Sequence, residues 1–509
     1  MKAYYRERLS VIFRYLSTIL IIGGILLVLP FIIGIVYGEQ SSFDQLIQAF
    51  LLPGGVAAVA GLVARAFSRV HSLSLKDSMF ICTLSWILLT LIGAVPFVVI
   101  LHVSYLDACF ETMSGFTTTG ITVLTGLDTM PHSILFWRAL TQWIGGLGIL
   151  SMFLLIGFKG GAAANKLFLA ESHKITSKSP SPGMFRTAKI LWTMYISFTV
   201  AETLILLSLG LHLFDAATHA FTTISTGGYS IYDNSIAQYR IAGFAHADLI
   251  ELTILLFMLF GGINFFIHYR VWTGSPKALW DNTELRYFWS IIIGGIILMF
   301  LSQIRSNGFP DFDHVETTSA GFKTVLIHLK TIAFQVVSII TTTGYATQDI
   351  NSVYFTAFAK QAFLVLMVIG GCAGSTGGGI KVIRVAVLTK LVKNRIIKLN
   401  SSRLTRHPLT IDSEKVDDEE LRRIFTLFFM WIVLLVIGGG ITAFFSNLSG
   451  WQSFSGMFSA LGNIGPCYIS VQEMIALHPV IKITFILGML AGRLEILPVL
   501  LIFSKKFFK

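Results

Sequence analysis

The stretches FTTTGITV (116–123), TTISTGGYS (222–230), IITTTGYAT (339–347) and SALGNIGPC (459–467) are variations on one theme, small hydroxyl or amide residues closed by glycine. Each lies between two apolar stretches. Taking Gly120, Gly227, Gly344 and Gly465 as equivalent, the spacings are 107, 117 and 121 residues, so the repeating unit is one helix, one signature and one helix. Self-similarity at that period sets the expected fold class. It is an all-α polytopic membrane protein in which four pseudo-symmetric helix–pore loop–helix repeats surround one pore.

Upstream of each glycine lies a stretch of about a dozen residues, too short to span a bilayer and suited to a re-entrant half-helix. Asp107, Asp215, Thr331 and Ser453 are the expected N-caps, because short polar side chains satisfy the free N–H groups of a helix start. Half-helices running toward a common axis present their negative dipole ends to it, which favours a cation. Downstream, each second helix carries a small pair: Gly145-Gly146, Gly261-Gly262, Gly370-Gly371 and Ala491-Gly492. Small residues let helices approach closely in lipid.

Composition agrees with a membrane setting. With 54% hydrophobic residues, 13% charged and a mean hydropathy of +0.74, the chain lacks the polar surface to cover itself in water. Ten stretches reach spanning length: 11–37, 44–66, 77–101, 134–157, 186–213, 247–271, 286–303, 359–392, 421–445 and 479–503. Residues 1–72 carry no signature and form an appended two-helix unit, followed by repeats at 73–165, 166–275, 276–400 and 401–509. The first apolar run exceeds a secretory signal core and is expected to stay in the mature chain. Cys82, Cys109, Cys372 and Cys467 show no paired spacing, which argues against a disulfide framework or zinc site.

Of the 38 Lys and Arg residues, 30 fall in 1–14, 64–76, 158–189, 270–286, 381–423 and 505–509. These segments alternate with poorly basic ones, so the positive-inside rule places both termini in the cytoplasm. The basic balance thus reports topology and not a nucleic-acid partner.

Irregular backbone at membrane depth is tolerated only where protein buries it or where it lines a water-filled path. The expected selectivity filter is therefore main-chain oxygen from Thr118-Thr119-Gly120, Ser225-Thr226-Gly227, Thr342-Thr343-Gly344 and Asn463-Ile464-Gly465, replacing the hydration shell of a dehydrated alkali cation. Within the second helix of repeat three, GGCAGSTGGGIK (370–381) cannot hold a regular helix, because each Gly costs about 1 kcal/mol against Ala. Gly374, Ser375, Thr376, Gly377, Gly378, Gly379 and Lys381 should form a loop below the filter, and they are the candidate gate. The sequence is no phosphate-binding loop, since Lys381 is followed by Val382. Arg493, next after the fourth small pair in the slot of Leu147, Ile263 and Cys372, is an intramembrane charge expected to face the same loop. A buried pair with Glu495 is the bland alternative. Glu111, Glu202 and Glu251 are embedded acids that a proton relay would need. Enzymatic motifs such as HExxH or GxSxG are missing, so catalysis is not expected.

At these residues the chain resembles the Trk/Ktr/HKT superfamily of potassium transporters, and within it the bacterial Trk-type membrane subunit. The likeness rests on FTTTG, STGG, TTTGY and GNIG, on Trp137-Arg138 to Gln142-Trp143-Ile144-Gly145-Gly146, on CAGSTGGGIK and on the GRLE containing Arg493. The resemblance implies potassium as the transported ion and uptake across the bacterial inner membrane through a selective, gated, channel-like pore. A proton- or sodium-coupled symporter on the same scaffold is the alternative it leaves open. It further implies a homodimer embedded in membrane lipid, cytoplasmic nucleotide-binding regulatory subunits of the RCK type, and no organic cofactor in this chain. Glycine rather than serine at position 120 fits the potassium-preferring relatives. Asn463-Ile464 departs from the Thr-Thr of the family's pattern, so side chains cannot contribute identically in all four segments.

Overall fold

The computed structural model describes residues 2–39, 42–68, 74–147, 184–307, 318–400 and 408–502. Among these, six helices are long and apolar enough to cross a membrane: Arg8–Val36, Phe43–Ala66, Lys76–Leu101, Thr187–Ser208, Thr283–Ser306 and Asp418–Phe445. The chain is a mostly helical, multi-pass membrane protein. The first two of these helices pack as a pair through their glycines. A β-carbon on Gly24 would fall closer than 3.0 Å to the Gly54 carbonyl oxygen, and the reverse holds. This appended pair is tied onward by Glu39, which accepts hydrogen bonds from Ser133 N at 2.5 Å and Ser133 Oγ at 2.7 Å.

Fewer uninterrupted crossings exist than the ten apolar stretches suggest. The stretch 134–157 is described only as His132–Gly146, its remainder, like most of the basic segment 158–189, lying outside the described residues. The stretch 247–271 is two helices, Ala247–Gly262 and Phe265–Trp272, bent by 106°. The stretch 359–392 divides into Ala357–Val368 and Val382–Leu399 around the Gly-rich loop, as expected. The stretch 479–503 breaks after Pro479–Arg493, where Glu495 and Ile496 adopt positive φ. Hydropathy averages over such breaks, whereas each described break falls at or just beyond a small pair.

Short helices lead into the Gly segments: Tyr105–Phe116, Leu213–Ile224 and Gly450–Gly462. At 1.5 Å per residue each reaches roughly 20 Å, well short of a bilayer core. The third differs, running Thr318–Ile340, so Thr331 lies inside a helix and caps nothing. The other expected caps are also displaced. Ser104, not Asp107, is the N-cap of the first; His212, without a side-chain cap bond, precedes the second; Ser449, not Ser453, caps the fourth in a box with Gln452. Asp107 and Asp215 stand at the third helical position, where an acid still complements the helix dipole, and Asp107 also accepts from Ser104 Oγ at 2.7 Å.

Among the described residues a short hairpin departs from the all-α pattern on the expected cytoplasmic side. Thr410–Ile411 and Glu414–Lys415 form an antiparallel hairpin whose turn residue Asp412 accepts from Thr283 N at 2.9 Å and Thr283 Oγ1 at 2.6 Å. Asp412 thereby caps the helix Thr283–Asn307 from another part of the chain.

Candidate functional site

All four helices that lead into the Gly segments end in the same motif. Thr118, Thr226, Thr342 and Asn463 each adopt a left-handed conformation, with φ of 53°, 53°, 57° and 53°. The N–H of each bonds three residues back, to Gly115, Thr223, Ile339 and Ala460. The N–H of the next residue bonds five back, from Thr119 to Ser114, Gly227 to Thr222, Thr343 to Ser338 and Ile464 to Ser459. This is a Schellman ending, which normally puts glycine at the left-handed position.

The shared pattern corrects the register of the second segment by one residue. Gly227 corresponds to Thr119, Thr343 and Ile464, and the partner of Gly120, Gly344 and Gly465 is Gly228. Those four glycines have φ of 84°, 88°, 104° and 72° for 120, 344, 465 and 228 respectively. Gly227 does not have positive φ. Ser225 accordingly precedes the equivalent triplet Thr226-Gly227-Gly228. The sequence misled because STGG offers two glycines and only the dihedral pattern distinguishes them.

The four glycines close a ring. A β-carbon on Gly120 would strike the Gly227 carbonyl oxygen, one on Gly228 that of Thr343, and one on Gly344 that of Ile464. From Gly465 the carbonyl oxygen of Thr119 would stand at 3.0 Å, returning the circuit to the first segment. Every link is backbone against backbone, so no rotamer change makes room for a side chain. The surrounding hydroxyls of Thr117, Thr118, Thr119, Thr222, Thr223, Ser225, Thr226, Thr341, Thr342 and Thr343 are fully buried, which concentrates polar groups at the centre of an apolar molecule.

Residues after the glycines line an open cavity of about 760 Å³, which includes Tyr229, Asp233, Asp349 and Cys467. Buried side chains brace this side. Arg138 meets Glu111 at 2.9 Å, donates to the Ser230 carbonyl at 2.9 Å and lies 4.1 Å over the Tyr229 ring. Glu111 also accepts from Thr122 Oγ1 and Val123 N at 3.0 and 3.1 Å. Gln142 donates to the Gly227 carbonyl at 2.7 Å and accepts from Tyr229 N at 3.0 Å. Glu111 is thus a structural carboxylate locked to Arg138. Glu251 likewise pairs with Arg240 and Lys330 at 2.9 and 2.7 Å, while Glu202 is buried beside Thr223. The bracing role of Arg138 had a signal in the sequence: like Arg493 it is a charge inside an apolar helix.

Residues before the glycines meet the Gly-rich loop. The loop ends are stapled where Gly370 N bonds Ile380 O and Ile380 N bonds Val368 O, at 2.9 and 3.1 Å. Lys381 folds back to donate to the carbonyls of Gly377 and Gly378. Thr376 donates to the carbonyls of Ile224 and Gly261, both at 3.0 Å, and Gly378 N donates to Thr342 Oγ1 at 2.8 Å. Beneath, Asn264 holds the Ala373 carbonyl at 2.7 Å, and Glu284 accepts from Ala373 N at 2.7 Å. Gly374 has φ of 78°, and Ser375 closes a turn onto Cys372. Gly379 packs on Gly370.

Arg493 reaches into this assembly. Its Nη1 donates to Thr376 O at 2.6 Å and Thr118 Oγ1 at 3.3 Å, and its Nη2 to the carbonyls of Gly145 and Gly146 at 2.6 Å. Glu495 meets Arg384 at 2.5 Å, both side chains being buried. The register of Arg493 also shifts by one. Gly145, Gly261 and Gly492 pack on the carbonyls of Phe116, Ile224 and Leu461, so Arg493 takes the slot of Gly146 and Gly262 rather than of Leu147 and Ile263. Where those glycines touch Ser225 and Thr341 of the neighbouring segment, Arg493 sends a side chain under the ring. Among the described residues no group of His, Cys, Asp and Glu is arranged to hold a transition metal.

The family model for TrkH, described as a cation transport protein, matches residues 47–509. The chain is similar to the Trk system potassium uptake protein TrkH of Salmonella typhimurium, 32% identical over 97% of this chain and 98% of that protein. It is similar to an uncharacterized cation transporter of Methanocaldococcus jannaschii, 30% identical over 98% and 96%. Its fold matches the crystal structure of the potassium transporter TrkH from Vibrio parahaemolyticus with a TM-score of 0.82 and 28% identity, over 98% of this chain and all of that one.

Proposed function

This chain belongs to the TrkH family of cation transport proteins, and on that footing we propose that it takes potassium into the cell through a gated pore whose filter is the ring of four Gly segments. The closed circuit of glycine-to-carbonyl contacts is the observation that carries the reading. Only segments gathered about a single axis make each neighbour's carbonyl the next glycine's wall, and a ring of carbonyls is the ordinary substitute for the hydration shell of an alkali cation. The filter comprises Thr118, Thr119, Gly120, Thr226, Gly227, Gly228, Thr342, Thr343, Gly344, Asn463, Ile464 and Gly465. The four units of the pore follow the boundaries read from the sequence, with residues 1–72 appended.

The loop from Gly374 to Lys381, with Arg493, acts as the gate. It lies against the residues preceding the glycines, on the far side of the ring from the cavity. A guanidinium there opposes a cation leaving the ring, by charge and by occupancy. Positive-inside topology puts the cavity outside the cell and the gate, with both termini, on the cytoplasmic side of the inner membrane. The basic segment 381–423, of which 401–407 lie outside the described residues, is the surface offered to nucleotide-binding regulatory subunits of the Trk system. The active form is a homodimer with one pore per chain.

Flux through purified protein in liposomes tests the reading. Gly120→Ser is expected to lower the permeability ratio of potassium to sodium; an unchanged ratio removes the ring from the filter. Potassium movement held in fixed proportion to proton or sodium movement would replace the channel by a coupled symporter.

A further inference from the structure

The helix Val382–Leu399 packs Ile383, Val387 and Leu391 into a small core shared with the hairpin and with Leu421 and Ile424 of the helix Asp418–Phe445. At its edge this core opens into a cavity of about 210 Å³. The floor is apolar, made by Leu391, Leu409 and Val416, and the rim carries Arg395, Lys398 and Lys415 against one acid, Asp418. Arg395 and Lys398 are four and seven residues beyond Leu391 and so share its face of the helix, while Lys415 comes from the second strand of the hairpin. Neighbouring cations are committed elsewhere: Arg384 and Arg423 to Glu495, and Lys390 to Thr283 Oγ1 and the Thr410 carbonyl. Arg395, Lys398 and Lys415 are exposed and make no ion pair among the described residues.

The depth of the cavity follows from the helix beside it. At 28 residues, Asp418–Phe445 is about 42 Å long against a hydrocarbon core of roughly 30 Å. Its charged residues, Asp418, Glu419, Glu420, Arg422 and Arg423, put the excess at the first turns, which therefore stand among lipid headgroups. One turn further in, Phe425 and Phe429 are exposed, as lipid-facing residues are. On the other helix Val392, Ile396 and Leu399 are exposed at i, i+4 and i+7, an apolar stripe beside the cavity.

We propose that this cavity binds the headgroup of one anionic phospholipid per chain, with the phosphodiester held by Arg395, Lys398 and Lys415 and an acyl chain laid along Val392, Ile396 and Leu399. The inference needs the membrane setting of the chain and not the pore reading above. Basic pockets between helices at headgroup depth are suited to such lipids, and the Arg395 fork can meet two phosphate oxygens at once. Three cations against Asp418 leave the rim net positive, so a lipid with an uncompensated negative charge gains more there than a zwitterionic one. An acidic segment of a regulatory subunit would answer the cations, but it would leave the apolar stripe at headgroup depth unexplained. Bound in this way, the lipid ties the end of the helix Val382–Leu399 to the hairpin.

The test titrates the full-length protein in mild detergent with phosphatidylglycerol, with phosphatidylethanolamine of the same acyl chains, or with inorganic phosphate. Retained lipid is counted by native mass spectrometry and protection is followed by thermal unfolding. Wild type is expected to keep one phosphatidylglycerol per chain at a concentration tenfold or more below that needed for phosphatidylethanolamine. Arg395→Gln, Lys398→Gln and Lys415→Gln should each weaken retention about fivefold, and the triple variant about a hundredfold. Arg395→Lys should recover most of the loss. These positions are exposed, so size-exclusion profiles should match wild type. Lys393→Gln removes a charge from the same helix outside the cavity and should change retention little; a loss equal to that of Lys398→Gln would mean diffuse surface attraction and refute the pocket. Equal retention of the two lipids by wild type, or equal protection by inorganic phosphate, also refutes it. Wild-type lipid retention in a triple variant that has lost its dimer or a regulatory subunit would assign the cavity to that partner instead.

Discussion

Replacing Arg493 by alanine removes four donor contacts, and they are not equivalent. Three run to Gly145, Gly146 and Thr118, which belong to the frame around the ring; one, to the Thr376 carbonyl at 2.6 Å, holds the loop. A hydrogen bond from a charged donor contributes about 1.5–3 kcal/mol net. Loss of the single bond to the loop should therefore raise its open-to-closed ratio about 10- to 100-fold, with 1.4 kcal/mol per factor of ten. Removal of the guanidinium charge from the path adds to the flux in the same direction. The assay is basal potassium flux into proteoliposomes, without regulatory subunits, normalised to folded protein by size-exclusion and thermal unfolding. Arg493→Lys keeps the charge but loses the planar fork that spans Thr376 and the Gly145-Gly146 carbonyls. An intermediate flux is expected from it if bonding closes the loop, and a wild-type flux if charge alone matters. A well-folded Arg493→Ala protein with unaltered basal flux would refute the gating role.

Other outcomes follow from the same geometry. Gly228→Ala should damage selectivity beyond repair by trimming side chains, since the obstructing atom is the Thr343 main-chain oxygen; Gly227→Ala meets the Gln142 side chain first, so Gln142→Ala in the same chain should relieve that contact. Potassium-to-sodium permeability ratios of the three variants check this register. Glu111→Ala strands the buried Arg138 and should cost about 3–5 kcal/mol, read as a lower unfolding temperature in detergent. Asp412→Ala removes the cap from Thr283 N and should cost about 1 kcal/mol, lowering the unfolding temperature slightly while leaving the permeability ratio intact.

Much of this was legible in the chain itself. The four Thr-Gly signatures, the small pairs and the Gly-rich loop are local in sequence, and each has a local physical reason to be where it is. Gly374 to Gly379 cannot stay helical in any surroundings, and the loop formed as expected. The sequence does not separate Ser104 from Asp107 as the first cap, because a short polar residue at the cap and an acid at the third helical position both favour a helix start. The bend at Ile263 and Asn264 was hidden because hydropathy stays high across it, and it became visible only where Gly261 and Gly262 receive Thr376 N and Cys372 N from the loop.

Sequence by itself determined that this is a mostly helical, multi-pass membrane protein with a helix broken at its Gly-rich stretch, because apolar length and glycine content act through local energetics. Tertiary structure alone decided which glycine of STGG belongs to the ring and that Arg493 fills a glycine's slot beneath it. It also decided that Arg138 and Glu111 brace the first segment. Those outcomes depend on which carbonyl faces which β-carbon across more than a hundred residues of chain, and no spacing along one strand of sequence encodes a contact made around a circle.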